Sequence, residues 1–293
     1  MEWIIFAVMA AFGFSFSDFF KKKILNKEHA FQFLSIFNLI FLALLCIALF
    51  FVGTESLKVP PPVLGAIFFR TLVGVIGFIL YIKSLRHLEI STVAPLINFR
   101  AIFALILGVI FLGESILGYQ VAGVLIIVFG AYVIDSGGHI KNWHKPLADL
   151  MHSKYIQFAL YFAFFLSITA ILAKKILIYV SPFTLLFYSS VFLNIFYLSI
   201  TFFVYKGFKD IKLGWQIGKK FLLIAVILEL AGAYFKFSAY AQPGAKIILI
   251  VPLLQVSTLV SIFLGGRLLK EKHIGLKLGA AVLMIAGIIL LVI

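Results

Sequence analysis

The sequence predicts an all-α polytopic membrane protein: ten transmembrane helices, built as two five-helix repeats inserted in opposite directions. Three observations predict it. Hydrophobic residues fill 63% of the 293 positions and charged residues only 12%. A soluble domain carries roughly 25% charged residues, so there is too little polar side chain here to face water. The apolar residues also fall in runs of about twenty, the length that crosses ~30 Å of hydrocarbon. Finally, the runs of the second half align with those of the first at constant offsets.

Taken in order, the predicted spans are Trp3–Phe20, Ala30–Val52, Val63–Ile82, Thr92–Leu112 and Ile116–Ile134, then Tyr155–Ala173, Phe183–Tyr205, Phe221–Ala241, Lys246–Leu264 and Ile274–Ile293. The first carries Glu2 where a secretory signal would carry positive charge, so it reads as an uncleaved membrane helix. Pro60-Pro61-Pro62 marks the entry to the third span, and Gln242-Pro243-Gly244 separates the eighth from the ninth. Residues 1–135 form the first repeat, 136–153 a polar linker and 154–293 the second repeat.

A gapless slide of 157 residues aligns Pro95 with Pro252, Asn98 with Gln255, Arg100 with Ser257, Glu114 with Glu271, Gly118 with Gly275 and Gly130 with Gly287. A slide of 152 aligns the opening spans: Ser15 meets Ser167, and Lys22-Lys23-Ile24-Leu25 recurs as Lys174-Lys175-Ile176-Leu177. Matches of Pro, Glu and Gly weigh more than matches of Leu and Phe, which shared hydrophobicity alone would produce. Five spans per half is an odd number, so the second half enters the membrane upside down. Such halves have two nearly equivalent packings, one open to each side, with a binding site near the midplane.

Leu112-Gly113-Glu114 followed by Gly118, Gln120 and Gly123, with a second copy at Lys270-Glu271, Gly275 and Gly279, resembles the ten-helix EamA-type branch of the drug/metabolite transporter superfamily. The resemblance covers essentially the whole chain. It implies alternating-access transport of metabolites, amino acids or drugs, often outward, through a cavity lined mainly by the first, third, fourth, sixth, eighth and ninth helices. The second copy departs from the pattern, with Lys270 where Gly is usual.

Glu229 lies mid-span, where a carboxylate costs about 2.5–3.5 kcal/mol on insertion scales. It is read either as a proton-coupling or cation-binding site or as half of a structural ion pair. Arg70, equally deep in the third span, could pair with Glu229 or bind an anionic substrate. Arg100 is a further deep cation. Asn98 and Arg100 are about 200° apart around a helix, so they cannot both face one cavity squarely. Gln255 and Ser257 are their repeat counterparts. Lys236 shares the face of Glu229 but could snorkel to the interface. Tyr234, Tyr240 and Tyr188 are candidate pocket aromatics, with packing as the alternative for each. Asp18 is expected to neutralise Lys21 or Lys22. Glu114 and Glu271 read as carboxylates at helix N-termini, favoured by the macrodipole. Gly118/Ala122 and Gly275/Gly279 have small-xxx-small spacing, predicting close packing of the fifth span on the tenth.

The net charge of +14 does not imply nucleic acid, because the basic residues sit in short segments between apolar runs, where anionic lipid favours them. Connections after odd-numbered spans hold most of them, which places the termini outside; the family resemblance implies cytoplasmic termini. The lone Cys46 excludes an internal disulfide. No His-Glu-x-x-His, phosphate-binding loop or nucleophile–base set is visible, so neither metal, cofactor nor catalysis is expected. The expected partners are a small-molecule substrate and the lipid bilayer, for a monomer or weak homodimer in the plasma membrane. The leading reading is a secondary transporter, an exporter or exchanger of a small solute; the alternative is a lipid or lipid-linked-sugar flippase.

Overall fold

The computed structural model describes residues 2–24, 30–88, 90–135, 153–205, 211–257, 260 and 274–293. Among these the chain is helical throughout, with no strand. The helices are α1 (Glu2–Ile24), α2 (Ala30–Val52), α3 (Pro61–Leu85), α4 (Ile90–Ile97), α5 (Arg100–Leu112), α6 (Gly118–Asp135), α7 (Lys154–Ile176), α8 (Pro182–Tyr205), α9 (Ile211–Ala241), α10 (Ile247–Leu253) and α11 (Ile274–Val292). Among the described residues, seven segments are long and apolar enough to cross a membrane, and two shorter apolar helices, Gly118–Val133 and Gly279–Val292, accompany them. The architecture is that of a ten-span helical membrane protein in two inverted repeats. The fourth predicted span is split into α4 and α5. Of the ninth, α10 and the residues to 257 are described, and most of the remainder, with the predicted linker, lies outside the described residues.

Many large apolar side chains face outward, while alanines and glycines are packed between the helices alongside buried Leu and Ile. Phe50 and Phe51 are almost fully exposed, whereas Ala7, Ala10, Ala11, Ala101 and Ala104 are fully buried. Lipid solvates Phe as well as a core would, so helices associate where small residues allow close backbone contact. The long helices pack mainly on one from the other half: α1 along α9, α7 along α3, α6 along α11 and α2 along α8. The repeats are interleaved, not set side by side.

The α6–α11 seam makes the inversion explicit. A Cβ placed on Gly123 would lie 2.8 Å from the Gly287 carbonyl, and one on Gly130 would lie 3.0 Å from the Ala280 carbonyl. As numbers rise along α6 they fall along α11, so these repeat-equivalent helices run antiparallel. The seam also moves the expected packing positions. Nothing approaches a Cβ on Gly118 or Gly279 within 4 Å, and Ala122 is exposed. The close approach belongs to Gly123 and Gly130, two turns apart, and to their copies Ala280 and Gly287. The side chain position of Gly275 lies outside the described residues.

Candidate functional site

One span of each half is broken beside a proline. Pro95 sits inside α4 and Pro252 inside α10. Neither can donate to the helical ladder, so each helix tightens just beyond its proline. Asn98 N–H donates to the Pro95 carbonyl at 3.3 Å and Gln255 N–H to the Pro252 carbonyl at 2.9 Å, the same three-residue closure at repeat-equivalent places. The breaks are tied together: the Gln255 side-chain amide donates to the Asn98 carbonyl at 2.9 Å. Ser15 Oγ on α1 donates to the Ser257 carbonyl at 2.6 Å, and Ser167 Oγ on α7 donates to the Arg100 carbonyl at 2.8 Å. Ser15 and Ser167 are counterparts, as are Ser257 and Arg100. The opening helix of each half therefore grips the broken span of the other.

Between these elements lies a cavity of about 310 Å³, near the lower end of small-molecule sites at ~300–1,000 Å³. Phe14 and Asp18 on α1 line it, as do their repeat counterparts Leu166 and Ala170 on α7. Arg70, Arg100 and Ser257 enter from α3, α5 and the end of the second broken span. Glu229, Lys236 and Tyr240 come from α9, at spacings of seven and eleven that hold one helical face inward. Asp18 is 59% exposed, so its end forms the mouth. Phe237, Tyr240, Val251 and Leu254 form a buried wall.

The charges are segregated. Lys21 Nζ bridges Glu229 Oε2 at 2.8 Å and Asp18 Oδ1 at 3.2 Å, and lies 5.0 Å from the centre of the Phe37 ring. Asp18 thus meets Lys21 as its i,i+3 position suggests. Of the two alternatives for Arg70, the pairing with Glu229 does not form. Arg70 instead donates from Nε to the Thr169 carbonyl and from Nη1 to Ser189 Oγ, both at 3.1 Å, and its guanidinium lies 5.0 Å from the Phe237 ring centre. Lys236 stays inside, 4.6 Å from the Phe237 ring centre and 5.4 Å from that of Phe14. Arg70 and Lys236 have no carboxylate within ion-pair distance among the described residues.

Six of the candidates from sequence, Arg70, Arg100, Glu229, Lys236, Ser257 and Tyr240, thus meet in one cavity. Asn98 and Gln255 are buried away from it and hold the two breaks together, in keeping with the opposed directions of residues 98 and 100. Tyr234 is 42% exposed; two residues before Lys236, it occupies the opposite face of α9 and lines no part of the cavity. Sequence reasoning missed Lys21 as the partner of Glu229, although its neighbour Asp18 drew attention. It also missed Phe14 and Phe237, indistinguishable in one dimension from the many lipid-facing phenylalanines.

The halves are also clasped on the face where α1 begins. Gly113 ends α5 at φ 63°, a left-handed turn suited to glycine, and aims Glu114 across the interface. Glu114 Oε1 and Oε2 accept the N–H groups of Ile247 and Ile248 at 2.9 and 3.0 Å. The carboxylate does cap a helix N-terminus, but that of α10 in the other half. Lys174 adds its charge at 3.7 Å, and Lys246 donates to the Ser115 carbonyl at 2.6 Å. Nearby, Thr184 Oγ1 donates to the Ser56 carbonyl at 2.7 Å and the Tyr188 hydroxyl to the Leu57 carbonyl at 2.8 Å. Glu271, the counterpart of Glu114, lies outside the described residues.

Inverted, interleaved repeats around a polar central cavity, with a broken span from each half beside it, define a helical membrane protein of the transporter class. The profile of the EamA-like transporter family matches residues 1–135 and again 153–293, and the chain belongs to that family. It is a multi-pass membrane protein of a family that transports small solutes. A solved crystal structure 14% identical to this chain superposes with a TM-score of 0.77, covering 99% of this chain and 96% of the other; the likeness is one of fold. No curated protein matches at a significant level.

Proposed function

We propose that the protein is a secondary transporter of the plasma membrane, an exporter or exchanger of a small metabolite, amino acid or drug-like solute, working by alternating access. The observation that carries this reading is the charged cavity between inverted halves, with its mouth at the Asp18 end and the clasp of Glu114, Thr184 and Tyr188 on the other face. Opening the clasped face while closing Asp18, Lys21 and Glu229 over the solute would expose the same side chains to the other side. Glu229 is the candidate coupling residue, since protonation would release Lys21. A flippase would need the cavity to open sideways to lipid at Arg70 and Arg100; both lie inside the bundle, which favours a water-soluble solute.

The test is counterflow in proteoliposomes. Solutes that raise the melting temperature of the purified protein are loaded inside, and exchange for labelled external solute is followed. A cysteine pair replacing Ser56 and Thr184, in a Cys46→Ser background and joined by a short bismaleimide, is expected to stop exchange while leaving thermal stabilisation intact. Exchange that continues at full rate with the clasp cross-linked removes alternating access from the mechanism.

A further inference from the structure

We infer that the solute recognised by the central cavity is a small organic anion, its acidic group held by Arg70 and Lys236 with Arg100 alongside, and its carbon body against Phe14 and Tyr240. This deepens the transporter reading and rests on it for the movement of the solute, though not for its binding.

Two carboxylates line the cavity, Asp18 and Glu229, and Lys21 bridges both. Three further cations line the same cavity: Arg70, Arg100 and Lys236. Among the described residues, Arg70 and Lys236 have no carboxylate within ion-pair distance.

The cations nearest the buried wall are held by neutral groups. Arg70 spends two donors on a carbonyl and a hydroxyl, and both Arg70 and Lys236 lie against the ring of Phe237. A ring face attracts a cation but removes none of its charge. Two like charges gathered about one ring repel each other, and the repulsion grows as water is excluded. An anion entering between them relieves that repulsion. A cation would increase it and would be drawn only to carboxylates that Lys21 already occupies. The guanidinium is also shaped for carboxylate or phosphate oxygens, since its planar fork matches their geometry.

The aromatic and apolar lining sets the second half of the specificity. Phe14 and Tyr240, with Leu166, Val251 and Leu254 around them, offer contact to carbon and not to further charge. A bare inorganic ion would leave that surface unused. The acid group is a carboxylate or a phosphate monoester; both present the same oxygens, and the test separates them.

The experiment uses the purified full-length chain in detergent and in proteoliposomes. Three size-matched aromatic probes are compared: 3-phenylpropionate, phenylalanine and 3-phenylpropylamine, respectively anion, zwitterion and cation, together with phenyl phosphate and inorganic phosphate. Thermal stabilisation is expected to follow anion over zwitterion over cation, with an organic anion exceeding inorganic phosphate. Arg70→Gln and Lys236→Gln are each expected to weaken binding of the preferred anion roughly tenfold or more, the loss of one charged hydrogen-bond partner. Arg70→Lys, which keeps the charge, is expected to recover part of it, and circular dichroism with gel filtration confirms that each variant is folded. The inference is overturned if the cation or zwitterion stabilises as well as the anions, if none of the anionic probes stabilises the protein, or if both Gln variants bind anions as wild type does. Anion binding without counterflow would sink the transport reading and leave the anion site standing. Counterflow of phenylpropylamine without any anion effect would do the reverse.

Discussion

Replacing Lys21 by Met removes the cation that holds Asp18 and Glu229 together at the cavity mouth. Removing one partner of a well-buried ion pair costs about 3–5 kcal/mol. Here the Lys21 and Glu229 side chains are 19% and 26% exposed and border a polar cavity, so solvent screening reduces the expected cost to about 1–3 kcal/mol. Glu229→Gln leaves Lys21 with Asp18 still at 3.2 Å and should cost less, about 1 kcal/mol. If the pair is coupled, Lys21→Met in the Glu229→Gln background costs little more, because the stranded carboxylate is gone. The double-mutant cycle, measured by denaturant titration in mixed micelles, is expected to return a coupling of about 1–2 kcal/mol. Single effects that add within about 0.5 kcal/mol would refute the ion pair. The same variants separate structure from mechanism. Under the proposed coupling role, Glu229→Gln proteoliposomes lose the pH dependence of flux while the protein remains folded. An unchanged pH profile would leave Glu229 as a structural partner of Lys21 and nothing more.

Glu114→Ala strands two N–H groups at the start of α10 and is expected to destabilise by about 2–4 kcal/mol, read as a lowered melting temperature; Lys174→Met, acting at 3.7 Å, should cost under about 1 kcal/mol. Gly287→Leu drives a side chain into the Gly123 carbonyl and should cost about 3 kcal/mol or more, whereas Gly279→Leu at the open position should change stability by less than about 0.5 kcal/mol; equal effects would refute the seam. Ser15→Ala and Ser167→Ala break symmetry-related hydrogen bonds and should each cost about 1 kcal/mol, a marked inequality arguing against equivalent roles. Tyr234→Leu, on the outer face of α9, should leave ligand-induced thermal shifts at the wild-type value.

The second span, Ala30–Val52, was legible to the residue, because an apolar run broken only by the uncharged Gln32, Ser35 and Asn38 has one reading in a bilayer. Pro60 and the prolines after it announced the start of α3 for a similarly local reason. The split between α4 and α5 was not read, though Pro95 was in plain view, because hydropathy averages Asn98 and Arg100 at the break into the long apolar run around them. What the sequence lacked most was pairing between distant helices. Lys21 and Glu229 are 208 residues apart, and depth alone made Arg70 the more plausible partner for Glu229. The glycines of the α6–α11 seam illustrate the same limit. Spacing of four at Gly118/Ala122 indicates a smooth face but not the direction it points. The seam follows the seven-residue interval from Gly123 to Gly130, whose copy from Ala280 to Gly287 was present at the same offset.

The symmetry of the frame and the asymmetry of its lining bear on mechanism together. Backbone contacts repeat across the pseudo-two-fold axis: Ser15 to residue 257 and Ser167 to residue 100, closure after Pro95 and after Pro252, Gly123 on Gly287 and Ala280 on Gly130. The charges do not repeat. Asp18 faces the cavity where its counterpart is Ala170, and Arg100 where its counterpart is Ser257. A frame whose contacts are equivalent under exchange of the halves can favour two packings of similar energy, because each serine grip lost on one side has a matching grip on the other. A lining that lacked that equivalence would keep one set of charges in front of the solute in both packings. Changing the frame residues in only one half should therefore bias which face is open, whereas changing Arg70 or Lys236 should alter what is bound without altering that balance.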